Sequence, residues 1–338
     1  MKREKAVLPF LFAGLLILLY SCSEETSKTE RYIGTRISNT LQMLKERKVT
    51  AEEIIIEKEL LYEQYTLEDK YPYKDTVRRF QWDKIKEKLA HLETTQLVHG
   101  KWGILQNYRN GNGEAPLVRS YKRNEYKRVA DTIGVERFQG IPLYLTNDTV
   151  TPERYGRDGA LIKIWHNSTS NFIRIETTDF DGEWLVPKRY VKVVSDTVTF
   201  RHAIIVDRYN ENIATLEKVG KKWLVRSMNP ATTGLHKPPY QQETPLGMFV
   251  IQEKKYKMFF LVDGTTRTGG FAPYANRFIN GGYIHGIPVN APRTTFIEYS
   301  ASLGTTPRSH MCVRNATSHA KFVYDNFPAL ETIVFVIE

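Results

Sequence analysis

The stretch Ser309-His310-Met311-Cys312-Val313-Arg314-Asn315 holds one of only two cysteines in a chain of 338 residues; the other is Cys22. Two cysteines at opposite ends of a chain build neither a disulfide framework nor a multi-cysteine zinc module. A lone cysteine with histidines elsewhere is instead a candidate thiol nucleophile. A free thiol with a pKa of about 8.5 is only slightly ionised at neutral pH, and an imidazole that takes its proton makes attack on an acyl carbon feasible. Tyr283-Ile284-His285-Gly286 supplies such an imidazole, at a predicted strand end and followed by a small residue that lets it reach across a sandwich. The competing reading is inert packing, the usual fate of a buried cysteine.

Outward from this block the pattern is β. Short alternating runs at 202–207, 212–219, 223–228, 247–252 and 257–262, separated by polar turns, predict a sandwich or barrel. No glycine-rich loop follows a strand and opens a helix, so nucleotide chemistry lacks support. No His/Asp/Glu triplet stands at ligand spacing, so neither a metal nor another cofactor is expected. His236 and His319 read as surface or structural residues.

Three features in order carry a resemblance: Thr244-Pro245-Leu246-Gly247-Met248-Phe249, then His285-Gly286, then Ser309-His310-x-Cys312-Val313-Arg314. Residues 200–338 resemble the L,D-transpeptidase (YkuD-type) catalytic domain of bacterial cell-wall enzymes, which implies a β-rich sandwich with a flattened barrel. The resemblance implies Cys312 as nucleophile, His285 as base, and Gly286 orienting the imidazole through its backbone carbonyl. It implies an oxyanion hole from the N–H of Cys312 and one near Met311. Ser309, His310 and Tyr283 would shape the substrate pocket. Arg314 suits a substrate carboxylate, with a structural salt bridge as the alternative. Two positions depart from the family: Met311 stands where glycine is usual, and the segment 286–308 is long, with 300–307 read as an inserted loop. If position 311 needs φ > 0, Met is strained there; if not, it narrows the pocket.

The activity implied is a peptidoglycan L,D-transpeptidase that forms 3–3 cross-links through a cysteine thioester, or an L,D-carboxypeptidase when water is the acceptor. Stem peptides would be its partners and carbapenems its inhibitors. One alternative is cleavage or formation of links between peptidoglycan and an outer-membrane protein; another is a non-catalytic wall-binding scaffold.

The amino terminus reads as an address. Lys2, Arg3 and Lys5 precede an apolar run over 6–20, shorter than the roughly 20 residues a spanning helix needs. Leu18-Leu19-Tyr20-Ser21-Cys22 resembles the bacterial lipoprotein box, which implies a signal peptide at 1–21, cleavage before Cys22 and lipidation of its thiol. Two or three acyl chains, at about 0.8 kcal/mol per buried CH₂, hold a protein firmly. Residues 22–31 then form a tether. Ser23-Glu24-Glu25 resembles an export signal of Bacteroidetes-type lipoproteins. The expected location is the cell envelope, on the outer membrane, facing the periplasm or exported to the surface. The net charge of +10 raises nucleic acid as a partner, but a secreted lipoprotein meets little of it, and the basic cluster 121–128 is read as a solvated face.

Between tether and catalytic domain, two further units are expected. Residues 32–130 read as helical: Thr50-Ala51-Glu52-Glu53 fits a capping box ahead of Ile54, Ile55, Leu60, Leu61 and Tyr65, and a second helix over 74–93 would carry Val77, Phe80, Ile85, Leu89 and Leu92 on one stripe. Residues 131–196 resemble a bacterial SH3-like (SH3b) module, through Pro142-Leu143-Tyr144, Gly182-Glu183-Trp184 and Pro187-x-x-Tyr190-Val191. Trp184 and Tyr190 either line a groove or fill the core. The fold class expected is mostly β with an N-terminal α region.

Overall fold

The computed structural model describes residues 47–97, 100–165, 171–195 and 198–338. The leader 1–21, Cys22 and the tether 22–31 lie outside the described residues.

The molecule is mostly β, as expected, and its centre is a six-stranded mixed sheet. Its strand order is Ile55–Lys58, Lys222–Pro230, Asn212–Val219, His202–Asp207, Thr332–Ile337 and Gly247–Val250. His202–Asp207 pairs parallel with Thr332–Ile337, and the first strand pairs parallel with Lys222–Pro230. Side chains alternate across a strand, and here both faces are covered, so apolar residues of the central strands point to both sides of the sheet. Ala203, Ile205, Leu216, Val225 and Phe335 enter one core. Ile204, Val206, Ile213, Val334 and Val336 enter the other.

The second core is closed by a sheet of Glu253–Leu261, Thr268–Ile279, Gly282–His285 and Val313–Arg314, with Val289–Asn290 on the side of Thr268–Ile279. The helix Thr317–Asn326 adds Val323 to that core. This sandwich is what brings two distant segments together: Ile284 pairs with Val313 and His285 with Arg314 in a short parallel ladder.

The first core is closed by the N-terminal segment, and here the helical expectation for 32–130 needs correction. One α-helix is present among the described residues of that segment, Trp82–Leu97, which buries Ile85, Leu89 and Leu92. The Thr50 N–H does bond Glu53 Oε2 at 2.8 Å, but the helix it opens is a single 3-10 turn, Ala51–Glu53. Ile54-Ile55-Ile56 then runs extended, because three β-branched residues beside an open sheet edge gain more from pairing than from coiling. The second expected helix starts late: Lys70–Tyr73 and Thr76–Arg79 form a hairpin before it, and Val77 is exposed rather than on the stripe.

The segment 101–130 is also not helical. Lys101–Leu105 lies inside a five-stranded antiparallel sheet, ordered Glu183–Pro187, Phe172–Thr177, Leu161–Ile164, Lys101–Leu105 and Val191–Val193. The small β module therefore takes a strand from before residue 131. Trp184 and Tyr190 lie in its core with Ile162, Ile175 and Val186, so neither lines a groove. The 300–307 insert is tied down: the Gly304 N–H donates to Ala231 O, and Arg78 Nη2 donates to Thr305 O at 2.7 Å.

Candidate active site

Cys312 and His285 line one cleft of about 390 Å³, with Met258, Phe260, Asp263, Ser309, His310 and Arg314 among its walls. The cysteine immediately precedes Val313–Arg314, and the histidine ends the neighbouring strand Gly282–His285. The parallel ladder thus fixes both side chains from rigid elements.

The imidazole has a determined tautomer. His285 Nδ1 lies 2.6 Å from Gly286 O, and a carbonyl only accepts, so Nδ1 carries the proton and Nε2 presents its lone pair. Position 286 has no room for a side chain: a Cβ would come within 2.7 Å of Thr317 Oγ1 and 2.9 Å of Pro273 Cγ. Burial pushes the imidazole down to about 4, against the Gly286 bond and with Arg314 adding to the shift. Cys312 is 8% exposed. Burial raises its thiol above the usual value, while the Tyr283 N–H and Arg314 pull the other way. At neutral pH the resting pair is thiol and neutral imidazole. Such a pair can pass a proton to Nε2 as the sulfur attacks, without first separating charge in a dry site.

The remaining expected residues fall in different places. Ser309 is buried, and its hydroxyl donates to Cys312 O, closing the turn that carries the thiol. His310 stands at the exposed rim, 2.8 Å from Asp263 Oδ2. Tyr283 is buried beneath the thiol with Ala275. It also lines a second groove of about 650 Å³, with Tyr108, Arg109, Lys255, Lys257 and Gly281. Arg314 is largely buried and lines the Cys312 cleft. Its Nε finds no hydrogen-bond partner, and no carboxylate pairs with it among the described residues. The alternative of a structural salt bridge is therefore not what the fold contains.

Met311 settles its own question. Its φ is +79°, the left-handed region that resists a side chain. Its carbonyl accepts from Thr244 Oγ1 at 2.8 Å, and Thr244 Oγ1 accepts from the Gly234 N–H. Its side chain packs at the edge of the second core and lines a cleft on the small-module side, with Arg157, Glu243 and Ile279. It does not narrow the cleft of Cys312. The N–H groups of Met311 and Cys312 donate to no backbone acceptor among the described residues.

Some contacts had no sequence signal. The Cys312 thiol donates to Gly281 O at 3.6 Å, and the Asn315 N–H donates to His285 O. His319, expected to be a surface or structural residue, is fully buried between Ser227 Oγ and Asn315 Oδ1. His236 bonds Glu125 at the edge of another cleft. No group of three or more His, Cys, Asp or Glu among the described residues is placed to hold a metal ion.

The β sandwich thus places a buried thiol and an imidazole of fixed tautomer on the walls of one cleft. Residues 201–336 match the YkuD family model, the L,D-transpeptidase catalytic domain. Among solved structures, a fused zinc-dependent amidase/peptidase/peptidoglycan-binding-domain protein of Clostridium acetobutylicum aligns at 20% identity over 40% of this chain and 51% of that one, TM-score 0.29. L,D-transpeptidase 3 of Mycobacterium tuberculosis, solved with a faropenem-derived adduct, aligns at 16% identity over 54% and 93%, TM-score 0.33. The Mycobacterium smegmatis L,D-transpeptidase aligns at 17% identity over 52% and 82%, TM-score 0.33. At such scores these likenesses add nothing to the family match. No curated protein sequence matches the chain.

Proposed function

We propose that the protein is a lipid-anchored L,D-transpeptidase that uses Cys312 as nucleophile on peptidoglycan stem peptides. The observation that carries this reading is the His285 Nδ1–Gly286 O bond, which frees Nε2 beside the thiol in one cleft. In the first half-reaction the thiol proton passes to Nε2 as Sγ bonds the carbonyl carbon of the third stem residue. The oxyanion takes the N–H groups of Met311 and Cys312. Collapse breaks the C–N bond, the imidazolium returns its proton to the departing D-alanine amine, and a thioester remains. A side-chain amine of a second stem then attacks the thioester and gives a proton to His285 Nε2, the S–C bond breaks, the imidazolium returns that proton to the Cys312 sulfur, and the product is a 3–3 cross-link. Water in place of the amine gives the L,D-carboxypeptidase outcome from the same residues. Arg314, a buried cation without a carboxylate partner, suits the free carboxylate of the donor stem.

Cys22 would carry the lipid, and the small β module, in our reading SH3-like, would hold the chain to the wall at the outer membrane. The test is incubation with tetrapeptide muropeptides and mass analysis of products, alongside intact mass after exposure to a carbapenem. We expect new cross-linked or trimmed muropeptides and an adduct on Cys312, both lost in Cys312→Ala. Unchanged turnover in that variant would sink the mechanism. Absence of any adduct would favour a wall-binding scaffold, and release of wall-linked protein without new cross-links would favour the link-cleaving alternative.

A further inference from the structure

Asp158 belongs to the small β module, yet its carboxylate reaches into the catalytic domain. It is fully buried. Oδ1 accepts the Asn107 N–H at 2.8 Å within its own module. Oδ2 accepts three donors from the catalytic domain: Gln252 Nε2 at 3.0 Å, Arg277 Nη1 at 2.8 Å and the Asn280 N–H at 2.9 Å. Arg277, also buried, is steadied by Gln252 Oε1 and by stacking over Tyr108. Four donors on an acceptor-only group, one of them a guanidinium, satisfy the conditions under which a buried charge is held firmly.

The donor that matters is the Asn280 N–H. Asn280 sits at φ +36° in the turn between Thr268–Ile279 and Gly282–His285. The strand register slips just before it, between Arg277 and Ile279. Ile279 and Gly282 pair across the two-residue turn Asn280-Gly281, and the Asp158 bond to the Asn280 N–H is a second tie on that turn, from outside its ladder. The next residue, Gly281, supplies the carbonyl that accepts the Cys312 thiol. The module approaches this turn as closely as a backbone can: a Cβ on Gly159 would strike Phe278 O, and the Gly159 carbonyl accepts the Val250 N–H.

We infer that Asp158 is a positioning residue for the Cys312 thiol, so that the small module is a working part of the active site and not only a wall-binding appendage. The inference rests on Cys312 being the reacting group. By pinning Asn280, Asp158 sets where the Gly281 carbonyl meets the sulfur, and with it the orientation in which the thiol faces His285.

Asp158→Asn tests this without changing volume, since an amide has a single acceptor oxygen and cannot serve both Asn107 and the Asn280–Arg277 side. The readout is the pH profile of Cys312 alkylation by iodoacetamide on the full chain. We expect the rate constant to fall by roughly 10- to 100-fold, the cost of a small misplacement of a reacting group, and the profile to move along the pH axis. If D158N does not fold, the D158N/R277Q pair removes both interior charges and is expected to show the same loss, because Asn280 still lacks its carboxylate. Glu253→Gln, which touches Arg277 from the exposed side at 3.2 Å, should leave the profile in place. A profile in the folded Asp158 variant that superimposes on that of the unaltered protein would overturn the inference, as would an equal loss in E253Q. Iodoacetamide reports the thiol whether or not a muropeptide is turned over, so failure here is separable from failure of the proposed reaction.

Discussion

Met311 holds a conformation that costs an L-residue about 1–2 kcal/mol relative to right-handed backbone, next to the proposed nucleophile Cys312. The sequence makes this position visible as a departure from the family's glycine, and the structure supplies the φ of +79° that turns the departure into strain. In most backbone settings alanine is the more stable replacement, by up to about 1 kcal/mol over glycine. Here the order should reverse. Both Met311→Gly and Met311→Ala lose the packing of the thioether on the second core, but only glycine also loses the strain, so M311G should exceed M311A by about 1 kcal/mol. Urea unfolding of the two variants decides it, and a more stable M311A would show that position 311 is not strained. What could be read of the site from sequence was what lies within a few residues: the thiol, the imidazole, its glycine and the turn serine. Asp158 and Gly281 could not be read, because each acts through a bond to a residue far along the chain, and no local spacing encodes that.

The misread elements fail for a related reason. The strand Ile55–Lys58 carries a helix-opening signal upstream of it, and the signal is real; what overrides it is an open edge on the strand Lys222–Pro230, contributed from the other end of the chain. The strands between 202 and 262 were legible because their short alternating runs are bounded by polar turns, a local pattern that needs no distant partner to be read. The helix Trp82–Leu97 was legible as a stripe, with its start misplaced by the hairpin ahead of it. That helix covers a face of the catalytic sheet: Leu89 is fully buried among Ala203, Leu216 and Trp223 in the first core. Leu89→Ala should cost about 2–5 kcal/mol through lost burial and the cavity left behind. Val77, on the same expected stripe but 66% exposed, should cost no more than about 0.5 kcal/mol as Val77→Ala. Equal effects in urea melts would mean that the helix is not part of the catalytic core.

For the molecule as a whole, three buried titratable groups act on one stability curve with opposing signs. His285 and His319 are held neutral, burial pushing them down to about 4 and about 3. The folded state therefore binds fewer protons than the unfolded chain below an unfolded pKa of about 6.5, and the stability these histidines contribute is lost as pH falls through that window. Glu211 works the other way. Burial raises its carboxyl to about 7 against the bonds from Thr233, so the folded state holds a proton the unfolded chain has released, and this contribution is lost as pH rises toward 7. Between pH 4.5 and 6.5 two histidine protons oppose one carboxyl proton, and each is worth about 1.4 kcal/mol per pH unit. Stability should climb with pH across that range, then level off near pH 7, where the remaining histidine and Glu211 contributions cancel. Glu211→Gln removes the opposing proton, so its urea midpoint should rise more steeply from pH 4.5 to 6.5 and keep rising through pH 7. The check is the urea midpoint measured every half unit from pH 4.5 to 8. A midpoint that falls from 4.5 to 6.5 in the unaltered protein would mean that the two histidines are not held neutral in the folded state, and with His285 charged the proton transfer proposed for Cys312 would have no acceptor.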